Sequence, residues 1–153
     1  LKRISTIGSL LKRIYRLYSQ ELLQRLNDCG FSDLRPSFLE ILSFICENDG
    51  PTIKSIGKAC GLKKQTMTSH LNDLEKRGYV VRKTGQKDKR EQCIFLTEYG
   101  EKFRFSLLDS IAILEKEYIK RVGDVEIERV QLMLENFHGH IKSESGPQVS
   151  FFS

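Results

Sequence analysis

The sequence predicts a mainly α-helical fold carrying one small β-hairpin, and three observations predict it. Both ends of the chain repeat apolar residues at three- and four-residue steps, the period of an amphipathic helix. Between them lie three shorter helical stretches, separated by breaks rich in Gly, Pro and Asn. Two β-prone runs, 79–83 and 92–96, flank a polar loop, Thr84 to Glu91, that contains Gly85. At 153 residues the chain suits one ordinary core, within the roughly 100–200 residues of a single domain. With 39% apolar and 29% charged residues and three prolines, its composition is globular, which sets aside the disordered class.

The first helix is expected over 2–28. Ile4, Ile7, Leu11, Ile14 and Tyr18 form one apolar row, and Leu10, Leu17 and Leu22 a second. A stripe that wide needs more than one covering surface, which predicts packing on a second subunit. Cys29-Gly30 ends the helix, with Gly30 as a left-handed cap. A second helix begins near Pro36 and buries Phe38, Ile41, Leu42 and Ile45 until Asn48-Asp49-Gly50-Pro51 breaks it. Thr52 is the expected N-cap of a third, short helix through Ile53, Ile56 and Ala59 to Gly61. The fourth helix, about 63–77, buries Met67, Leu71 and Leu74 and stops at Gly78.

After the hairpin, Thr97 is expected to cap a long helix with Phe103, Leu107, Ile111, Leu114 and Tyr118 on its apolar side. A last helix from about Asp124 places Ile127, Val130, Leu134, Phe137 and Ile141 at the spacing of a helix-pairing seam. The predicted organisation is an N-terminal dimerisation helix over 1–30, a central domain over 31–100, C-terminal dimerisation helices over 101–141 and a flexible tail over 142–153.

Charge is unevenly placed. Between Lys58 and Arg90 ten basic residues stand against three acids, a local +7 within an overall +5, so the remainder carries −2. A basic block in an otherwise slightly acidic chain points to a polyanionic partner for that block, because clustered Lys and Arg release counterions from a phosphate backbone. A solvated basic face is the alternative at this level. No stretch approaches the roughly 18–20 apolar residues of a membrane span. The basic start, Leu1 to Ser5, lacks the apolar run of a secretory signal, so no membrane partner and a cytoplasmic location are expected.

Cys29, Cys46, Cys60 and Cys93 show no paired C-x-x-C spacing, so neither a zinc site nor a disulfide framework is expected, and the thiols should be reduced. His138 and His140 stand two apart on a helix, where their side chains diverge. Neither metal nor cofactor is expected. His70, beside the inner face of the fourth helix, reads as a packed or hydrogen-bonded histidine, not as a ligand.

A short helix, a tight turn at Gly61, a second helix with polar groups outward and a basic hairpin together describe a winged helix-turn-helix. With Met67, Leu71 and Leu74 inward, Lys63, Lys64, Gln65, Thr66, Thr68, Ser69 and Asn72 face outward or sit at the N-terminal end. These types suit a DNA groove: Gln pairs with adenine edges, Lys with guanine, and a helix N-terminus attracts phosphate. On the hairpin Lys83, Lys87, Asp88, Lys89 and Arg90 complete the candidate interface with double-stranded DNA.

The runs Gly61-Leu62-Lys63-Lys64-Gln65-Thr66-Met67-Thr68, Leu74-Glu75-Lys76-Arg77-Gly78-Tyr79-Val80, Asp88-Lys89-Arg90 and Leu96-Thr97-Glu98-Tyr99-Gly100 resemble the MarR family. The motif-level likeness covers about Phe38 to Phe103. It implies a homodimer built from helices at both chain ends, each winged domain docking on half of an inverted-repeat operator. It also implies that Arg90 reaches the minor groove while Asp88 holds it, a role suited to charge-assisted hydrogen bonds. Lys63 departs from the resemblance, standing where many relatives carry an acid, so no operator sequence carries over.

The expected function is a transcriptional regulator, a repressor by the family's commoner mode, released by a small aromatic effector. The resemblance places the effector between the DNA-binding lobe and the dimer helices. Tyr15, Tyr18, Phe38 and Phe44 are candidate lining residues, with plain core packing the favoured reading. One alternative is a thiol redox sensor, for which Cys29 at a helix end and Cys93 near the wing are the candidates. Another is a winged-helix protein-interaction module. No nucleophile–base set, paired carboxylates or phosphate loop suggests an enzyme.

Overall fold

The computed structural model describes residues 2–85 and 87–142 and, over 143–152, the backbone of the last helix without its side chains. The order is α1 (Arg3–Asp28), α2 (Pro36–Glu47), α3 (Ile53–Cys60), α4 (Lys64–Lys76), β1 (Val80–Thr84), β2 (Gln92–Leu96), α5 (Glu98–Val122) and α6 (Asp124–Phe152). Contacts divide the chain into two units, 1–111 and 112–153. The flexible tail expected over 142–153 falls, Lys142 apart, outside the fully described residues.

The first unit owes its helix boundaries to local chemistry. Three helices end in the same way, on a glycine of positive φ that lets the chain double back on the last carbonyls. Gly30 (φ 99°), Gly61 (φ 65°) and Gly78 (φ 88°) occupy that position. The next residues, Phe31, Leu62 and Tyr79, donate their N–H groups to Leu26, Gly57 and Leu74 at 2.9, 2.9 and 3.0 Å. The Tyr79 bond explains why the first strand begins one residue later than its β-prone run, since that backbone N–H still closes α4. Thr52 caps α3 as expected, its hydroxyl accepting from the Ser55 N–H at 3.0 Å. Thr97 caps α5 by accepting from the Gly100 N–H at 3.0 Å.

The core gathers the inward faces of these elements. Phe38, Ile41 and Leu42 of α2, Ile56 of α3, Leu71 and Leu74 of α4, Ile94 of β2 and Phe103 of α5 are fully buried. Phe31, Tyr79, Tyr99 and Phe103 form an aromatic group with ring centroids 5.0–6.3 Å apart. Asp33 receives the Tyr79 hydroxyl at 2.7 Å. Phe38 has the Arg35 guanidinium over its ring at 4.1 Å and that of Arg77 at 5.2 Å, with the His70 ring edge-on at 5.4 Å. These contacts make Phe38 a core residue and His70 a packed histidine.

β1 and β2 pair antiparallel with Val80 opposite Leu96 and Thr84 opposite Gln92. The hairpin does not stand alone. The Ile94 N–H donates to the Pro51 carbonyl at 2.8 Å and Thr52 bridges Cys93, so the segment before α3 lies along β2. Gly50 permits that approach, since a Cβ there would meet the Phe95 ring at 2.6 Å.

Only the C-terminal part of α1 is buried, through Ser19, Leu22 and Leu26. Ile4, Leu10, Ile14 and Leu17 remain 46–59% exposed, a continuous apolar surface that calls for cover. In the second unit α6 likewise exposes Val130, Leu134 and Ile141. Among the described residues no helix is long and apolar enough to cross a membrane.

Candidate nucleic-acid interface

The N-terminal turn of α4 is a positive end made more positive. Lys63 is the N-cap, in extended conformation, Lys64 is the first helical residue, and no acid occupies the first turn. The unpaired N–H groups of a helix start and two lysines act with one sign there. Lys63, Lys64, Gln65, Thr66 and Ser69 are exposed, while Met67, Leu71 and Leu74 are buried on the opposite face. Thr68 is half-buried, and its hydroxyl donates to the Lys64 carbonyl at 2.8 Å, leaving the oxygen free to accept.

The hairpin tip is organised by its own backbone. Gly85 N–H donates to the Glu91 carbonyl at 2.8 Å, and Glu91 N–H to the Asp88 carbonyl at 3.1 Å. A Cβ on Gly85 would lie 2.7 Å from the Asp88 carbonyl oxygen, so the turn closes on a residue without a side chain. Asp88 then accepts from the Arg90 backbone N–H at 3.0 Å, from Nε at 3.2 Å and from a terminal nitrogen at 3.4 Å. The Arg90 backbone N–H and then its side chain hold the Asp88 carboxyl below its ordinary value. Arg90 nevertheless stays 92% exposed, oriented but available. Lys87 and Lys89 flank it in solvent, and the Lys83 ammonium rests over the Phe95 ring at 5.1 Å.

Between α3, α4 and the hairpin runs an open cleft of about 750 Å³. Four of the expected interface residues, Lys64, Thr68, Lys89 and Arg90, line it together. Lys63, Gln65, Thr66 and Ser69 stand outside it on α4, and Lys83, Lys87 and Asp88 outside it on the hairpin. Sequence reasoning missed Lys54, Lys58 and Arg82, which join the same lining against one acid, Glu91. Lys54 and Lys58 lie four apart on α3, and that helical spacing was the signal available in the sequence.

A helix presenting polar groups beside a basic hairpin that shares its cleft defines the winged helix-turn-helix class. The MarR family profile matches residues 32–91. The regulator SarZ of Staphylococcus aureus (strain MRSA252) is 33% identical over 134 residues, covering 87% of this chain and 89% of SarZ. The chain belongs to the MarR family of winged-helix transcriptional regulators. Matches to two other curated proteins span little more than half of those proteins, 55% and 57%.

Among solved structures, overoxidized AbfR bound to DNA superposes with a TM-score of 0.63 at 26% identity, covering 90% of this chain and 93% of that one. The repressor CouR bound to a 23-mer DNA duplex superposes with a TM-score of 0.74 at 22% identity, over 90% and 98% of the two chains. The latter likeness speaks for the fold alone.

Proposed function

We propose that this protein binds double-stranded DNA as a homodimer at an inverted-repeat operator and so regulates transcription. The observation that carries this reading is the cleft in which Lys64 and Thr68 of α4 meet Lys89 and Arg90 of the hairpin. Lys63, Lys64, Gln65, Thr66, Thr68 and Ser69 enter the major groove. Lys83, Lys87 and Lys89 neutralise phosphates, and Arg90, oriented by Asp88, reaches the adjacent minor groove. The DNA-bound AbfR structure supports the same partner. The exposed apolar rows of α1 and α6 supply the surface a homodimer needs.

Repression relieved by a small amphipathic effector is the finer part of this reading. Of Tyr15, Tyr18, Phe38 and Phe44, for which plain core packing is the favoured reading, Phe38 is core, Tyr18 and Phe44 are half-buried, and Tyr15 is exposed and departs from that reading. A cleft of about 360 Å³ between the end of α2, β2 and α5 is the better-supported volume. Phe95 gives it an aromatic wall, and its charged lining is Arg104, 3.6 Å from the Glu101 carboxylate, together with Glu47 and Asp49. The redox alternative is weakened at two cysteines, since desolvation pushes the Cys46 thiol up to about 12 and the Cys60 thiol up to about 11. Cys29 is exposed.

Selection of bound duplexes from a random library at two salt concentrations tests the main reading. An enriched inverted repeat, with half-sites about 10 base pairs apart and salt-sensitive affinity, is expected. A folded dimer that enriches no sequence and shows no salt-dependent binding would favour a protein-interaction module. A panel of aromatic acids that changes neither melting temperature nor DNA affinity would remove the effector.

A further inference from the structure

Arg82 is a hairpin cation whose guanidinium turns back onto α4. It sits in the middle of β1, opposite Ile94. One terminal nitrogen donates to the Asn72 side-chain carbonyl. Its Nε lies 3.4 Å from a Glu75 carboxylate oxygen and is buried with no hydrogen-bond partner besides that ion pair. Asn72 and Glu75 are three apart on α4, one turn of helix, so a single planar fork spans both acceptors. The Arg82 side chain is 21% exposed against 92% for Arg90.

Position gives this contact its consequence. α4 joins β1 through Arg77, Gly78 and Tyr79 alone, and Gly78 sits at φ 88°. A short covalent joint fixes where the hairpin starts but leaves its swing against the helix axis to non-covalent contacts. On one edge β2 is held by Pro51 and Thr52. On the side facing α4, Arg82 ties the strand to the helix between the joint and the tip. Arg90, farther along the hairpin, is displaced by any rotation that Arg82 would otherwise block.

The geometry points to Arg82 as a positioning residue for DNA recognition. By bridging Asn72 and Glu75 it sets the angle between recognition helix and hairpin, so that the α4 readers and Arg90 reach neighbouring grooves together. This rests on the DNA-binding reading above. It is distinct from a phosphate contact, because a fork occupied by two protein acceptors and largely screened from solvent has little left for a third partner.

The test measures duplex affinity against salt for the full-length parent, Arg82→Lys, Arg82→Ala, the Asn72→Ala/Glu75→Ala pair and the triple variant. Melting curves confirm that each is folded. Salt-dependent binding by the parent is the premise, and its absence would sink the DNA-binding reading without bearing on Arg82. Arg82→Lys keeps the charge but loses the fork, so it is expected to weaken binding roughly tenfold, as Arg82→Ala does, with the salt slope unchanged. The pair should lose as much, and the triple variant no more. The proposal is overturned if Arg82→Lys binds like the parent while Arg82→Ala lowers the slope by about 0.9, the signature of one lost phosphate contact. Additive losses in the triple variant overturn it equally, since they would mean that Arg82 acts independently of α4.

Discussion

Asp88 holds Arg90 by three hydrogen bonds, one to its backbone N–H and two to its guanidinium, while that guanidinium remains almost wholly in solvent. An arginine held in this way gives up less conformational freedom on meeting DNA than a free one. Arg90→Ala is expected to weaken operator binding by about 1–3 kcal/mol, the cost of a lost groove contact. Asp88→Ala should cost less, because the cation survives its loss of orientation. Titration binding on a selected operator checks both, and an Arg90→Ala protein that binds like the parent would remove Arg90 from the interface.

The same pair has a pH signature. Asp88 is held below its ordinary value, so the contact to Arg90 persists as pH falls through the usual carboxylate range and is lost only below it. Carboxyl-carbon NMR should show Asp88 titrating below the ordinary aspartate value. Because the backbone N–H of Arg90 is the larger cause, Arg90→Ala should move that titration only part of the way back. A complete return would assign the effect to the guanidinium instead.

Tyr79 and Asp33 offer a test inside the core. Tyr79 is fully buried and donates to Asp33, and burial together with that bond raises its phenol well above the ordinary value. A raised phenol favours the neutral form in the folded state. Stability from this group is therefore complete below the unfolded value of about 10 and declines as pH rises past it. Tyr79→Phe should cost about 1–2 kcal/mol in urea unfolding at neutral pH and flatten the alkaline decline. An unchanged alkaline slope would show that another group causes it.

How much of this was legible beforehand divides along local and non-local lines. As caps, Thr52 and Thr97 each accept from a backbone N–H three positions on, and the turns at Gly61 and Gly78 close bonds spanning three to five residues, so caps and helix ends could be read directly. The outward set on α4 followed from the period that buries Met67, Leu71 and Leu74. Arg82 could not be assigned, because its acceptors, seven and ten residues back, come within reach only once the turn at Gly78 fixes the hairpin's direction. Phe38 was ambiguous for a similar reason. An aromatic on a buried helical face can line a pocket or fill a core, and Arg77 and His70, close to it only in space, decide for the core.

Gly100 makes a steric prediction at the start of α5. A Cβ there would overlap the Tyr79 carbonyl oxygen and press the Leu96 side chain at 3.1 Å. Gly100→Ala should destabilise by about 1–3 kcal/mol, the usual cost of overpacking. Since Tyr79 and Leu96 border the two strands, DNA affinity should fall with it. Denaturant unfolding beside binding titration would show whether the two losses travel together.

Thiol reactivity should follow exposure and desolvation. Cys29 is exposed, while Cys46 and Cys60 are held at about 12 and 11, where almost no thiolate exists at neutral pH. Alkylation mapped by mass spectrometry should modify Cys29 well before Cys46 and Cys60. Prior labelling of Cys46 would contradict its burial.

The Thr97 hydroxyl receives the Gly100 N–H while donating to the Gly78 and Tyr79 carbonyls, so the segments leading into and out of the hairpin converge on one oxygen. Closure at the base separates it mechanically from the tip. Residues between Thr84 and Glu91 are then open to lengthening, shortening or changes of charge without a change in the register below them. A change of length there alters what the tip can reach while the strands stay paired as they are.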